Sequence, residues 1–200
     1  MRLQFSDDRK YMEKYLQEYI EKNGFAQSRE ALKMAVKLHE GQKRAEGLPY
    51  IIHPMMLVMH GIALGLHSDD LTAVMLLHDV CEDCPVTPEE LPVNDTIKEA
   101  VRCITKDRRD GETKAQAMGR YMENIRKSKE ACIVKIFDRC HNVSSMAGTF
   151  SEDRMRAYIR ETKEYIYPLI QYTKEKYPEY ETMIFALEYQ ITSIIRGLER

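Results

Sequence analysis

Ala73-Val74-Met75-Leu76-Leu77-His78-Asp79-Val80-Cys81-Glu82-Asp83 is the stretch that decides the fold. Its first five residues are apolar on every side, so a helix here is buried all round rather than amphipathic. His78, Asp79, Glu82 and Asp83 then crowd its C-terminal end. That end of a helix carries partial negative charge and disfavours carboxylates. Burying them without a partner costs on the order of several kcal/mol, so something positive must sit against them. On a helix running from Leu71 to about Glu82, His78 and Glu82 stand four apart, as do Asp79 and Asp83. All four then lie on adjoining rows of one face. A divalent cation offsets the charge: the first pair binds it, and the second handles protons or orients water.

Working outward, apolar residues recur at helical spacing almost throughout. Met12, Leu16 and Tyr19 mark a first helix that Asn23-Gly24 stops, and Ser28 is read as the N-cap of a second. Pro54 opens a third that Gly65 ends, and Ser68 caps the decisive helix. Thr87 with Glu90 resembles a capping box. Further helices are expected at 95–105, 114–127 and 130–147, then a long amphipathic pair at 151–175 and 178–197, the first kinked by Pro168. The charged stretch from Lys106 to Glu112 reads as a loop. The fold class is all-α, a single domain over residues 1–200 with about eight to ten helices.

A second apolar run, Ile133-Val134-Lys135-Ile136-Phe137-Asp138-Arg139-Cys140-His141-Asn142-Val143, is broken by Asp138, with Asn142 four residues later on the same face. His53, just before Pro54, is a third candidate ligand. Histidine and aspartate positions embedded in separate apolar helices point to one interior site.

Bulk composition narrows the partners. Lys and Arg number 30 against 32 Asp and Glu, a formal net charge of -2. That excludes a broad basic surface for nucleic acid or anionic lipid. No apolar run approaches the roughly 18 residues needed to span a bilayer, and the N-terminus lacks a signal-peptide core. Five scattered cysteines do not read as a disulfide framework. A cytoplasmic location is the expectation.

The order His, then His-Asp, then Asp resembles the HD phosphohydrolases. The finer strings resemble the hydrolase domain of the RelA/SpoT alarmone family, especially its small stand-alone members. Gly41-Gln42-Lys43-Arg44 with Pro49-Tyr50-Ile51 and His53-Pro54 is similar to that family's first signature, and His78-Asp79 with Glu82-Asp83 to its second. Ile104-Thr105-Lys106, Lys135-Ile136-Phe137-Asp138-Arg139 with His141-Asn142, and Arg160-Glu161-Thr162 with Tyr167-Pro168-Leu169 follow in the family's order. The likeness spans about residues 28–170, and residues 178–197 form a C-terminal helical extension.

The resemblance implies an HD-domain helical bundle. It also implies hydrolysis of the 3′-pyrophosphate of guanosine tetra- or pentaphosphate (ppGpp, the nucleotide of the stringent response), with Mn²⁺ as the usual ion and other divalent ions open. Carried over, His53, His78, Asp79 and Asp138 hold the metal, and Glu82 and Asp83 activate or position water. Arg44 and Lys43 neutralise substrate phosphates, Asn142 bonds ribose or phosphate, and Tyr158 walls the pocket. Lys106, at the head of the charged stretch, is a further phosphate candidate, although such a run is more often just a solvated loop. Ala45 stands where many members have Lys, and Asn142-Val143-Ser144-Ser145 replaces Asn-Met-Arg-Thr. These losses of basic groups leave open another nucleotide or phosphorylated metabolite, or a non-catalytic nucleotide sensor. The C-terminal helices either pack on the domain or present a homo-oligomer face. Cys81-x-x-Cys84 reads as small apolar filler, because one such pair falls short of a closed zinc site.

Overall fold

The computed structural model describes residues 9–45, 47–107 and 109–199. Glu46 and Arg108, in the loops expected around 41–49 and 106–112, lie outside the described residues. Described residues are helical, with no strand beyond an isolated antiparallel bridge between Lys43 and Pro49. The chain clusters into two compact units, residues 1–107 and 108–200.

The first unit holds α1 (Arg9–Asn23), α2 (Ala26–Leu38), α3 (Ile52–Ala63), α4 (Asp69–Leu77), the short α5 (Val80–Asp83), a 3-10 turn at Pro88–Glu90, and α6 (Asp95–Ile104). Its centre is α4, which packs against α2, α3 and α6, while α1 packs on α2 and α3. Every residue of α4 from Leu71 to Leu77 is buried, as its all-round apolar sequence requires. Pro54 is accommodated in the first turn of α3, where backbone N–H groups have no intrahelical partner to lose. The helix stops at Gly65 (φ 82°), with Leu66 N–H donating to Gly61 C=O at 2.8 Å and Gly65 N–H to Ile62 C=O at 3.0 Å. This is a Schellman closure, which needs a left-handed residue at that position.

Two sequence expectations are corrected here. Ser28 is not an N-cap: α2 begins two residues earlier, and Ser28 is fully buried inside it. The cap comes from a distant residue. Asp69 accepts from Gln27 N–H (2.9 Å), Ser28 N–H (2.7 Å) and the Ser28 hydroxyl (2.6 Å). A carboxylate at a helix N-terminus satisfies orphan donors and meets the positive end of the dipole. Asp69→Ala is therefore expected to cost about 1–2 kcal/mol in urea unfolding, and Asp69→Asn less. An unchanged midpoint for Asp69→Ala would remove the capping role.

The second correction concerns the decisive helix, which does not run unbroken to Glu82. It ends at Leu77, turns at His78-Asp79, and resumes for one turn at Val80–Asp83. The His78 ring Nδ1 lies 2.9 Å from Met75 C=O, the acceptor that Asp79 N–H would take in a continuing helix. The cap expected at Ser68 and the capping box of Thr87 and Glu90 are both present.

The second unit holds α7 (Lys114–Ile125), α8 (Lys129–Met146), α9 (Glu152–Glu161), a π-helical turn (Thr162–Ile166), α10 (Tyr167–Lys176), a 3-10 turn at Pro178–Tyr180, and α11 (Glu181–Leu198). Here α8 is central, against α7, α10 and α11, and residues 131–140 are all buried. The break expected near Pro168 takes the form of the π turn. Pro168 has no N–H for Glu164 C=O and its ring crowds that carbonyl, so the preceding turn widens. Counting α4–α5 and α9–α10 as single rods, the described residues form nine helices, within the range expected.

Candidate metal and substrate site

In the first unit, α3 places His53 in its opening turn and the break after α4 presents His78 and Asp79. Both imidazoles are buried, at 1% and 2% exposure. His53 Nε2 lies 3.2 Å from His78 Nε2, and Asp79 Oδ2 lies 3.0 Å from His78 Nε2 and 3.5 Å from His53 Nε2. Because a carbonyl can only accept, His78 Nδ1 carries the proton in its bond to Met75 C=O. That fixes Nε2 of the neutral ring as a lone pair, the tautomer a metal ligand needs. Two imidazole nitrogens and a carboxylate oxygen crowd one small volume. Such electron-rich atoms repel unless a cation lies among them, so the donor set fits a divalent ion. Burial pushes the Asp79 carboxyl up, but positive charge on the His78 ring and then the His53 ring, the charge a bound cation would replace, overrules it and holds it well below the usual carboxylate range.

The sequence alone gives Tyr50 no role, yet its hydroxyl donates to Asp79 Oδ2 at 2.6 Å. Burial, then Asp79 and Asp83 nearby, push its phenol far up, so it remains a protonated donor. The only available signal was its place in the Pro49-Tyr50-Ile51 string. His39 is buried. Its Nδ1 lies 2.7 Å from Gln42 Oε1 and its ring stacks on Tyr50 with centroids 4.7 Å apart.

Glu82 and Asp83 are exposed on α5. The chain brings Lys106 to Glu82, with Nζ 3.9 Å from Oε1 and Lys106 N–H 3.4 Å from Oε2. Lys43 is exposed and Arg44 half-buried on the loop that the 43/49 bridge closes. Arg44 N–H donates to Leu48 C=O at 2.9 Å, and the loop leads straight into Tyr50 and His53. Cys81 and Cys84 are free thiols, and burial pushes Cys81 up to about 11.

In the second unit, Asp138 is buried on α8. Lys135 Nζ donates to its Oδ2 at 2.9 Å and Asn142 Nδ2 to its Oδ1 at 2.5 Å. The i,i+4 pairing of Asp138 with Asn142 is thus present as spaced. Burial pulls the Lys135 ammonium down, but Asp138 overrules it and holds it well above the usual lysine value. Tyr158, on α9, lies under the Arg139 guanidinium (3.9 Å to the ring centroid) and edge-on to Phe150 at 5.5 Å. Arg139 also donates to Thr162 Oγ1 (3.1 Å) and Glu161 Oε1 (2.5 Å), which fastens the π turn to α8. Among the described residues no helix is long and apolar enough to cross a membrane.

Comparison with known proteins agrees with this picture. The chain matches the HD domain family over residues 31–170. It is 34% identical over 163 residues to a Vibrio cholerae protein named guanosine-3′,5′-bis(diphosphate) 3′-pyrophosphohydrolase, covering 76% of this chain and 22% of that protein. It is 32% identical over 164 residues to the Escherichia coli K12 bifunctional (p)ppGpp synthase/hydrolase SpoT, covering 77% of this chain and 23% of that protein. The chain therefore spans less than a quarter of the length of these curated relatives. A solved structure described as a metazoan ortholog of SpoT that hydrolyses ppGpp superposes with a TM-score of 0.67. That match is at 22% identity, over 86% of this chain and 95% of the other, and shows the fold. The matched span of 140 residues carries every candidate ligand named above, and the chain belongs to the HD-domain family.

Proposed function

We propose that this chain is a divalent-metal-dependent hydrolase that removes the 3′-pyrophosphate of guanosine tetra- or pentaphosphate. The observation that carries the reading is the convergence of His53 Nε2, His78 Nε2 and Asp79 Oδ2 within 3.5 Å of one another. The names of the Vibrio and Escherichia relatives supply the substrate class. On this reading residues 1–200 work as one catalytic domain with a family-like core at about 28–170, and the HD match runs through both compact units.

His53, His78, Asp79 and Asp138 would hold the ion, with Mn²⁺ as the proposed metal and other divalent ions open. When bound, a divalent ion lowers the pKa of water and neutralises charge on the phosphoryl oxygens. Glu82 and Asp83 orient the attacking water and accept its proton. The water oxygen bonds to the phosphorus on O3′, the phosphorus–O3′ bond breaks, and a proton returns to O3′. Arg44, Lys43 and Lys106 meet the substrate phosphates by charge-assisted hydrogen bonds. Asn142 bonds ribose or phosphate, and Tyr158 walls the pocket. The partner is a small nucleotide in the cytoplasm, not nucleic acid or membrane, and a homo-oligomer is compatible with the reading.

The experiment is direct. Purified protein with Mn²⁺ and guanosine 3′,5′-bis(diphosphate) is expected to release pyrophosphate and GDP in equal amounts. No turnover at high enzyme concentration refutes the assignment. Ala45 and Ser144, which replace basic residues of the similar family, favour a second reading in which another nucleotide or phosphorylated metabolite is the substrate. A nucleotide panel scored for phosphate against pyrophosphate separates the two.

A further inference from the structure

Tyr50 is held more tightly than a pocket-lining aromatic needs to be. Its 2.6 Å bond to Asp79 Oδ2 falls in the range of hydrogen bonds to an ionised acceptor. The oxygen it takes is the same one that faces both imidazole nitrogens. Its ring is fixed by the His39 ring, 4.7 Å away and tilted by 31°, and by the edge of His53 at 6.0 Å and 80°. His39 is in turn fixed by Gln42. The backbone adds two more ties: Tyr50 N–H donates to Gln42 C=O at 3.0 Å, and Tyr50 C=O accepts from His53 N–H at 2.9 Å.

Asp79 has less support of its own. It sits at the break between α4 and α5 (φ -102°, ψ -8°), where no side-chain cap bond of its own anchors it. An aspartate is free to rotate about its terminal bond unless something outside the residue selects one oxygen. The phenol makes that selection.

We propose that Tyr50 is a positioning residue that holds Asp79 Oδ2 toward His53 and His78, tying the loop at 43–49 to the metal ligands. The proposal rests on the reading of His53, His78 and Asp79 as ligands. Partners that orient a metal ligand are typically worth about 10–100-fold in metal affinity. A substrate-binding tyrosine would affect the nucleotide instead, and a purely structural one would affect melting.

The test uses Tyr50→Phe in the full chain, which keeps the ring and both stacking contacts and removes only the donor. Metal-free protein is titrated with Mn²⁺ by calorimetry. The Kd is expected to rise about 10–100-fold with the metal-free melting temperature nearly unchanged. At saturating Mn²⁺, kcat and the KM for nucleotide are expected to return toward wild type. Tyr50→p-aminophenylalanine, which restores a donor, is expected to recover the affinity. A wild-type Kd in Tyr50→Phe overturns the proposal, whatever its melting temperature, and so does a raised KM with unchanged Kd. If Tyr50→Phe does not fold, Gln42→Ala, which frees His39 behind the Tyr50 ring, is titrated instead, and unchanged affinity there overturns it. His78→Ala serves as the control: if it binds Mn²⁺ as wild type does, the ion-site reading fails rather than the role of Tyr50.

Discussion

The Asp79→Ala protein is expected to hydrolyse guanosine 3′,5′-bis(diphosphate) about 10³-fold more slowly than wild type, a barrier increase of ~4 kcal/mol. Asp79 Oδ2 is placed against both imidazoles, at 3.0 Å from His78 and 3.5 Å from His53. Removing it takes one of the two anionic groups from the proposed ligand set, and an imidazole nitrogen does not lower the cost of drawing an ion out of water as an anionic oxygen does. Initial rates of pyrophosphate release check the expectation, and a parallel Mn²⁺ titration locates the loss. Affinity and rate should fall together. A rate loss under tenfold with affinity intact would take Asp79 out of the ion site. Stripping wild type with a chelator should reproduce the defect, and added Mn²⁺ should reverse it in wild type alone.

Lys135→Met is expected to destabilise the metal-free protein by about 3–5 kcal/mol, the usual result of removing one member of a buried ion pair. Lys135 and Asp138 are 8% and 5% exposed and lie 2.9 Å apart. The single replacement leaves a buried carboxylate without its ammonium partner, and Asn142 brings it only a neutral donor. Lys135→Met with Asp138→Leu should recover most of the loss, since a well-packed apolar pair often matches a buried ionic one. Urea unfolding in the presence of chelator measures both proteins. The pH dependence has a definite sign. A raised folded-state pKa means that the lysine contribution is complete below its ordinary value of about 10.4 and fades as pH climbs to the folded value. The deficit should therefore be fully visible at neutral pH. A cost under about 1 kcal/mol for the single variant would show that water relieves Asp138.

The parts of this architecture legible in sequence are those written locally. The apolar runs of α4 and α8 mark the two helices at the centres of their units, because a helix without a polar face has nowhere to go but inside. Ser68, Thr87 and Pro168 each announce a helix boundary through their own backbone chemistry. The HD family match then bears out the resemblance that the ordered strings suggested. What escaped was written across distance. Ser28 reads as a cap because serine caps helices, but the residue that closes α2 lies 41 positions further on. The hydrogen bond of Tyr50 spans 29 positions, and a tyrosine in a string of apolar residues reads as core. The break after Leu77 was hidden because four-residue spacing fits a continuous helix, and only the ring nitrogen of His78 shows where its acceptor has been taken.

The stripe Ile159, Thr162, Ile166, Leu169 and Thr173 is buried along its whole length and would form one continuous face on a straight rod. The wide turn at Thr162–Ile166 prevents this, since one surplus residue turns everything beyond it by about 100° relative to what comes before. The stripe thus meets Arg139 of α8 through Thr162 in its first half, while α10, which carries its second half, packs against both α8 and α11. Shortening this segment by one residue would restore the straight rod and lose one of the two fits. Its length is therefore more tightly constrained than its composition.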